Sequence, residues 1–130
     1  MDIVNAHIGK ELYKTIISTA TNNLIADEPE DVGGKDLGFN PNELLAAALA
    51  ACTSATLRMY ADRKAWDLSE VKVEVSFERD AKLNQSFMKR KIELIGNLDE
   101  EQRKRLFTIA NSCPIHKTLT NPIEIETSLV

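Results

Sequence analysis

The stretch Asn40–Lys64, NPNELLAAALAACTSATLRMYADRK, decides how this chain is read. Asn40 precedes Pro41, and Glu43 follows three residues after Asn40. That pattern predicts an N-cap, a proline at the first helical position and a capping-box acid, because cap oxygen and acid each satisfy a free backbone N–H. No charge occurs from Leu44 to Leu57. The helix is therefore apolar around its whole circumference and is predicted to be the buried axis of a domain. The uncharged run is shorter than the roughly 20 residues that cross a membrane, so no membrane association is expected. At about 100° per residue, Pro41, Leu45, Ala48, Ala55, Thr56 and Met59 share the side of Cys52, and Glu43 lies almost opposite. Cys52 thus looks out over small, apolar neighbours.

The bulk numbers narrow the function classes. A chain of 130 residues with 43% hydrophobic and 28% charged residues fits one domain, 1–130, and a domain of this size buries roughly two thirds of its unfolded surface. Aromatic residues make up only 5% and the net charge is −4. Stacking platforms and phosphate-binding faces need the opposite, so nucleic acid is excluded as a partner. The N-terminal run MDIVNAHIGKELYK has neither the basic start nor the apolar core of a signal peptide, which points to the cytoplasm. Two cysteines 61 positions apart in a reducing compartment suggest a redox or catalytic pair more than a permanent staple.

Ile3–Ile8 and Leu12–Thr19 read as a hairpin turning at Gly9–Lys10, and Leu24–Ala26 as a continuation of its sheet. The acidic, glycine-containing segment from Asp27 to Pro41 reads as a long irregular loop, either a surface connector or the lining of a site. After the central helix, Trp66–Ser69 is a link, with Trp66 filling the core at the helix end. Val71–Glu78 and Phe87–Ile95 alternate as strands, the second interleaving Met88, Arg90, Ile92 and Leu94. Asp99 and Gln102 form a second capping box, and Leu106, Ile109, Ala110 and Cys113 fall on one helical stripe that Pro114 breaks or kinks. Ile115–Leu119 is a further turn, and Ile123–Leu129 alternates as a closing strand. Strands then helix, strands then helix, and a final strand define an α+β class with antiparallel pairing. So short a chain offers little to cover a helix without a polar face, and a partner subunit is expected.

The pattern NPNELLAAALAACT, followed by SCPIHKTL, resembles the OsmC/Ohr family of thiol-dependent hydroperoxide-handling proteins over nearly the whole chain. ADEPEDVGGKDLG ahead of the helix resembles the general OsmC-like branch. The resemblance implies an intertwined homodimer, with sheets wrapped around central cysteine-bearing helices and sites at the subunit interface. It also implies a peroxidase in which Cys52 attacks an organic hydroperoxide, Cys113 resolves the sulfenic acid, and an external dithiol, possibly of lipoyl type, reopens the disulfide.

In the peroxide-reducing branches an arginine from the N-terminal part and a glutamate at the start of the helix surround the thiol. This chain departs on both counts: its first arginine is Arg58, and Asn42 stands ten positions before Cys52. Lys10 or Lys14 is then the candidate replacement cation, without the two-pronged contact of arginine. Glu43 matches the family pattern but is explained by capping. His116, in CPIH, either orients substrate, donates a proton or is structural, whereas His7 has no distinctive context. A metal site from Cys52, Cys113 and His116 lacks a second ligand pair, so neither metal nor cofactor is expected. The alternative function is a non-catalytic dimer that binds a small molecule in the apolar pocket around Cys52.

Overall fold

In the computed structural model, which describes residues 1–130, the N-terminal unit Met1–Ala46 is built on three short strands: Asn5–His7 (β1), Thr15–Ser18 (β2) and Asn23–Ala26 (β3). They pair antiparallel in the order β1-β2-β3. The expected hairpin is present, but its register sets His7 opposite Ile16. Ile8–Lys14 therefore forms a loop, and the predicted tight turn at Gly9–Lys10 is corrected. Ala26 then bridges to Phe39, so the segment between them folds back on itself.

The centre of that fold-back is Asp27, only 2% exposed. Its carboxylate accepts the backbone N–H groups of Tyr13 (3.2 Å), Glu28 (2.8 Å), Lys35 (3.3 Å) and Leu37 (3.1 Å). Glu30–Val32 forms a 3-10 turn inside a segment expected to be irregular throughout. Burial pushes the Asp27 carboxyl up, but the four N–H donors outweigh it and hold the group below the ordinary carboxylate range. A depressed folded pKa stabilises the fold above the unfolded value of about 3.9, and that contribution is lost as pH falls through the folded value. Asp27→Asn turns an amide NH2 toward these donors. Urea unfolding is expected to find the variant less stable than wild type at pH 7, with the gap closing as the pH is lowered below 3.9. A gap independent of pH would contradict this account.

Pro41–Lys64 forms the first helix (α1), begun by the predicted capping box: Asn40 Oδ1 accepts the Glu43 N–H and Glu43 Oε1 accepts the Asn40 N–H, both at 2.9 Å. At 24 residues, with a mean hydropathy of 1.3 over an 18-residue window, α1 meets the measure of a membrane-crossing helix by length and composition. The helix reaches this length only by extending past the charge-free run Leu44–Leu57 into Glu43 at one end and the charged Arg58–Lys64 at the other.

In the second unit, Ala47–Val130, α1 is followed by Asp67–Asp80 (β4) and Gln85–Asn97 (β5), an antiparallel hairpin, and by Glu100–Ala110 (α2) and Pro114–Leu119 (α3). The link expected at Trp66–Ser69 is mostly strand, because β4 already pairs from Asp67. An irregularity at Leu68–Glu70 faces Gly96, whose φ of +154° and closeness to the Asp67 carbonyl leave no room for a Cβ. Leu57, Tyr60 and Ala61 of α1 pack with Leu68 of β4 and with Leu106 and Ala110 of α2. The half-buried Val71, Ile92 and Leu94 line the hairpin side of this core.

Several expectations are corrected here. Within one chain α1 is buried along a stripe, Leu49, Thr53, Leu57, Tyr60 and Ala61, while Ala48, Ala51, Ala55 and Met59 stay exposed. The stripe predicted to continue α2 through Cys113 stops at Ala110; Asp99 and Gln102 do cap the helix, but Cys113 has left it. Proline does not kink α2 but starts α3, where its missing N–H costs nothing. Finally, Ile123–Leu129 forms no strand, since a strand needs a ladder partner and this segment has none in the chain.

Candidate functional site

Two elements of the second unit carry the thiols. Cys52 lies on α1, half-buried, immediately before the fully buried Thr53. Cys113 caps α3 with an extended backbone (φ −57°, ψ 128°), which turns the chain inward after α2 and leaves its side chain fully buried. The structure brings the two cysteines together as free thiols, close enough that each shifts the other's proton affinity.

The environment divides the pair. Partial burial pushes the Cys52 thiol up, but the Cys113 S–H, the Ile115 backbone N–H, the Thr56 hydroxyl and the charge of Arg90 outweigh it, holding Cys52 below the ordinary thiol range. Cys113 is pushed up by burial, by the bond it donates and by the negative charge at Cys52; the N–H groups of His116 and Ile115 only partly oppose this. Cys52 is thus the thiol that ionises more readily and Cys113 the one that holds its proton longer.

The cation is a residue that sequence reasoning passed over. Arg90 of β5 donates from Nη1 to Thr53 Oγ1 (2.9 Å) and the Ala110 carbonyl (3.3 Å), and from Nη2 to Asn111 Oδ1 (2.9 Å). Its Nη2 also lies 3.3 Å from His116 Nδ1. An Arg90 N–H donated here requires Nδ1 to be the accepting nitrogen of His116. A signal was available: in the alternation Met88, Arg90, Ile92, Leu94, Arg90 is the one charge on the half-buried face of β5.

The other predicted site residues fall elsewhere. Lys10 and Lys14 belong to the N-terminal unit, in the β1–β2 loop, and neither forms an ion pair in the chain. Asn42 is exposed in the first turn of α1, and the Glu43 carboxylate is engaged in the capping box. His116 is half-buried against Arg90. No cluster of three His, Cys, Asp or Glu side chains that could hold a metal ion is present.

An α+β fold that sets two unequal thiols against each other beside a guanidinium defines a thiol-pair protein. The chain belongs to the OsmC-like protein family, whose model matches residues 33–128. A Psychrobacter arcticus protein described as osmotic stress induced and detoxification response is 26% identical, with a TM-score of 0.79 over 91% of this chain and 88% of that one. An OsmC-like protein from Mycoplasma pneumoniae is 20% identical, with a TM-score of 0.79 over 92% and 87% of the two chains. An organic hydroperoxide resistance protein OsmC from Legionella pneumophila is 25% identical, with a TM-score of 0.62 over 92% and 88%. No curated protein matches the chain significantly.

Proposed function

We propose that the protein is a dithiol-dependent peroxidase acting on organic hydroperoxides. The observation that carries this reading is the contact between two free thiols whose proton affinities are driven in opposite directions. The Cys52 thiolate attacks the terminal oxygen of the hydroperoxide and the O–O bond breaks. The leaving alkoxide takes a proton to become an alcohol, and Cys52 is oxidised to a sulfenic acid. Cys113 then gives up its proton and attacks the Cys52 sulfur, expelling hydroxide, which leaves as water as the disulfide forms. An external dithiol, of lipoyl type in our reading, exchanges with that disulfide, restoring both thiols and becoming oxidised itself.

The name of the Legionella relative supports the substrate class. The family match also crosses the division between the two units, which supports treating 1–130 as one working domain. We include a homodimer in the proposal: the exposed Ala48, Ala51, Ala55 and Met59 border Cys52 on α1, an apolar face suited to a second copy. A second reading, a binding module without turnover, is favoured by the same chain's Asn42 and by its lack of any arginine before Arg58.

The test is mass spectrometry after one equivalent of alkyl hydroperoxide. Wild type is expected to carry a Cys52–Cys113 disulfide. Cys113→Ser is expected to consume about one equivalent, to form a Cys52 sulfenic acid trapped by dimedone, and with more peroxide to pass to the irreversible sulfinic acid. An unmodified Cys52 in both proteins would reject the enzyme in favour of the binding module.

A further inference from the structure

We infer that Arg90 is the positioning residue of the thiol pair, its guanidinium tying the turn that carries Cys113 to the stretch of α1 that carries Cys52. The inference rests on the thiol-pair reading above and adds a residue to it.

The two terminal nitrogens of the guanidinium contact four groups drawn from three elements: Thr53 on α1, the Ala110 carbonyl and Asn111 at the end of α2, and His116 on α3. Thr53 is next to Cys52 in sequence, and Ala110, Asn111 and His116 bracket Cys113 on both sides. Cys113 itself makes no side-chain cap bond at the start of α3. The turn between α2 and α3 is only Asn111–Cys113, so fixing Asn111 and His116 fixes the sulfur between them. A lysine has neither the planar fork nor the number of donors to span these acceptors.

Charge follows from the same contacts. No carboxylate pairs with Arg90. The positive charge is therefore left uncancelled beside Cys52. With both terminal nitrogens already engaged, the fork is not free to grip a substrate. Arg90 thus acts through the cysteines: its geometry sets how fast Cys113 reaches an oxidised Cys52, and its charge adds to the groups that favour the Cys52 thiolate.

These two effects separate in the variants Arg90→Lys and Arg90→Met, each checked for folding by circular dichroism. Two readouts are taken on the full chain: the pH profile of iodoacetamide alkylation at Cys52, resolved by mass spectrometry, and the rate of disulfide formation after one equivalent of cumene hydroperoxide. Arg90→Met is expected to move the alkylation profile up by about one pH unit, roughly a tenfold loss of thiolate below the midpoint. Arg90→Lys keeps the charge, so its profile stays near wild type. Both variants are expected to form the disulfide on the order of tenfold more slowly and to accumulate dimedone-reactive sulfenic acid.

Asn111→Ala, at an exposed position, removes one acceptor and is expected to slow the disulfide without moving the alkylation profile; it serves should the Arg90 variants not fold. Wild-type alkylation profiles and disulfide rates in the folded variants would overturn the inference. The alkylation profile does not need peroxide chemistry. A wild-type protein that ignores hydroperoxide would sink the peroxidase reading while the profile still decides the charge effect of Arg90.

Discussion

Cys52→Ser is expected to abolish consumption of an alkyl hydroperoxide supplied with a lipoyl dithiol, with a loss on the order of a thousandfold or more. A serine hydroxyl stays protonated where the Cys52 thiol ionises, and the thiolate is the species that attacks the O–O bond. The fold should be unaffected, because serine replaces a half-buried side chain with one of nearly equal size. Since Cys52 is held below the ordinary thiol range, wild-type turnover is expected to rise with pH, with its midpoint below the value near 8.5 at which a free cysteine ionises. Steady-state assays from pH 5 to pH 9 test both points. Undiminished turnover by Cys52→Ser removes Cys52 from the chemistry.

Leu106→Ala is expected to cost about 3 kcal/mol of stability, within the range for large-to-small changes at buried leucines. Leu106 is completely buried and joins α2 to Leu57, Tyr60 and Ala61 of α1 and to Leu68 of β4. Its removal opens a cavity where helices meet hairpin. The neighbours are not free to collapse into it: Tyr60 accepts a hydrogen bond from Arg105 at 2.9 Å and packs edge-on to Trp66 at 5.6 Å. Urea denaturation should show a lower midpoint with little change in slope, and melting should fall by roughly 10 °C. A loss under 1 kcal/mol would mean that α2 is not anchored through this residue. Because α2 leads directly into the turn bearing Cys113, the same variant should also slow disulfide formation.

Local features were legible in the sequence. Both capping boxes, Asn40 with Glu43 and Asp99 with Gln102, stand as read, since a cap depends on residues only three apart. The alternation in β4 and β5 likewise sufficed to pair them antiparallel. What depends on distant partners was not legible. The apolar pattern of Ile123–Leu129 is that of a strand, yet no ladder is offered to it within the chain. Cys113 matched the helical stripe of Leu106 and Ala110, but α2 ends before it and the residue reaches the interior by an extended turn instead. The family resemblance implies a cation from the N-terminal part, which in this sequence points to Lys10 and Lys14. The charge that acts on Cys52 comes from Arg90, which closes on Thr53 across 37 positions of sequence.

In the cycle proposed above, the unequal depth of the two sulfurs, Cys52 half-buried and Cys113 wholly enclosed, governs the return half. An incoming reductant meets only the Cys52 end of a bridge, so the mixed disulfide is made there and Cys113 departs as the leaving group. Cys113 resists ionising, and a sulfur that holds its proton tightly leaves slowly. Regeneration then favours a reductant whose second thiol is already tethered close by, able to finish the exchange before Cys113 can re-form the bridge.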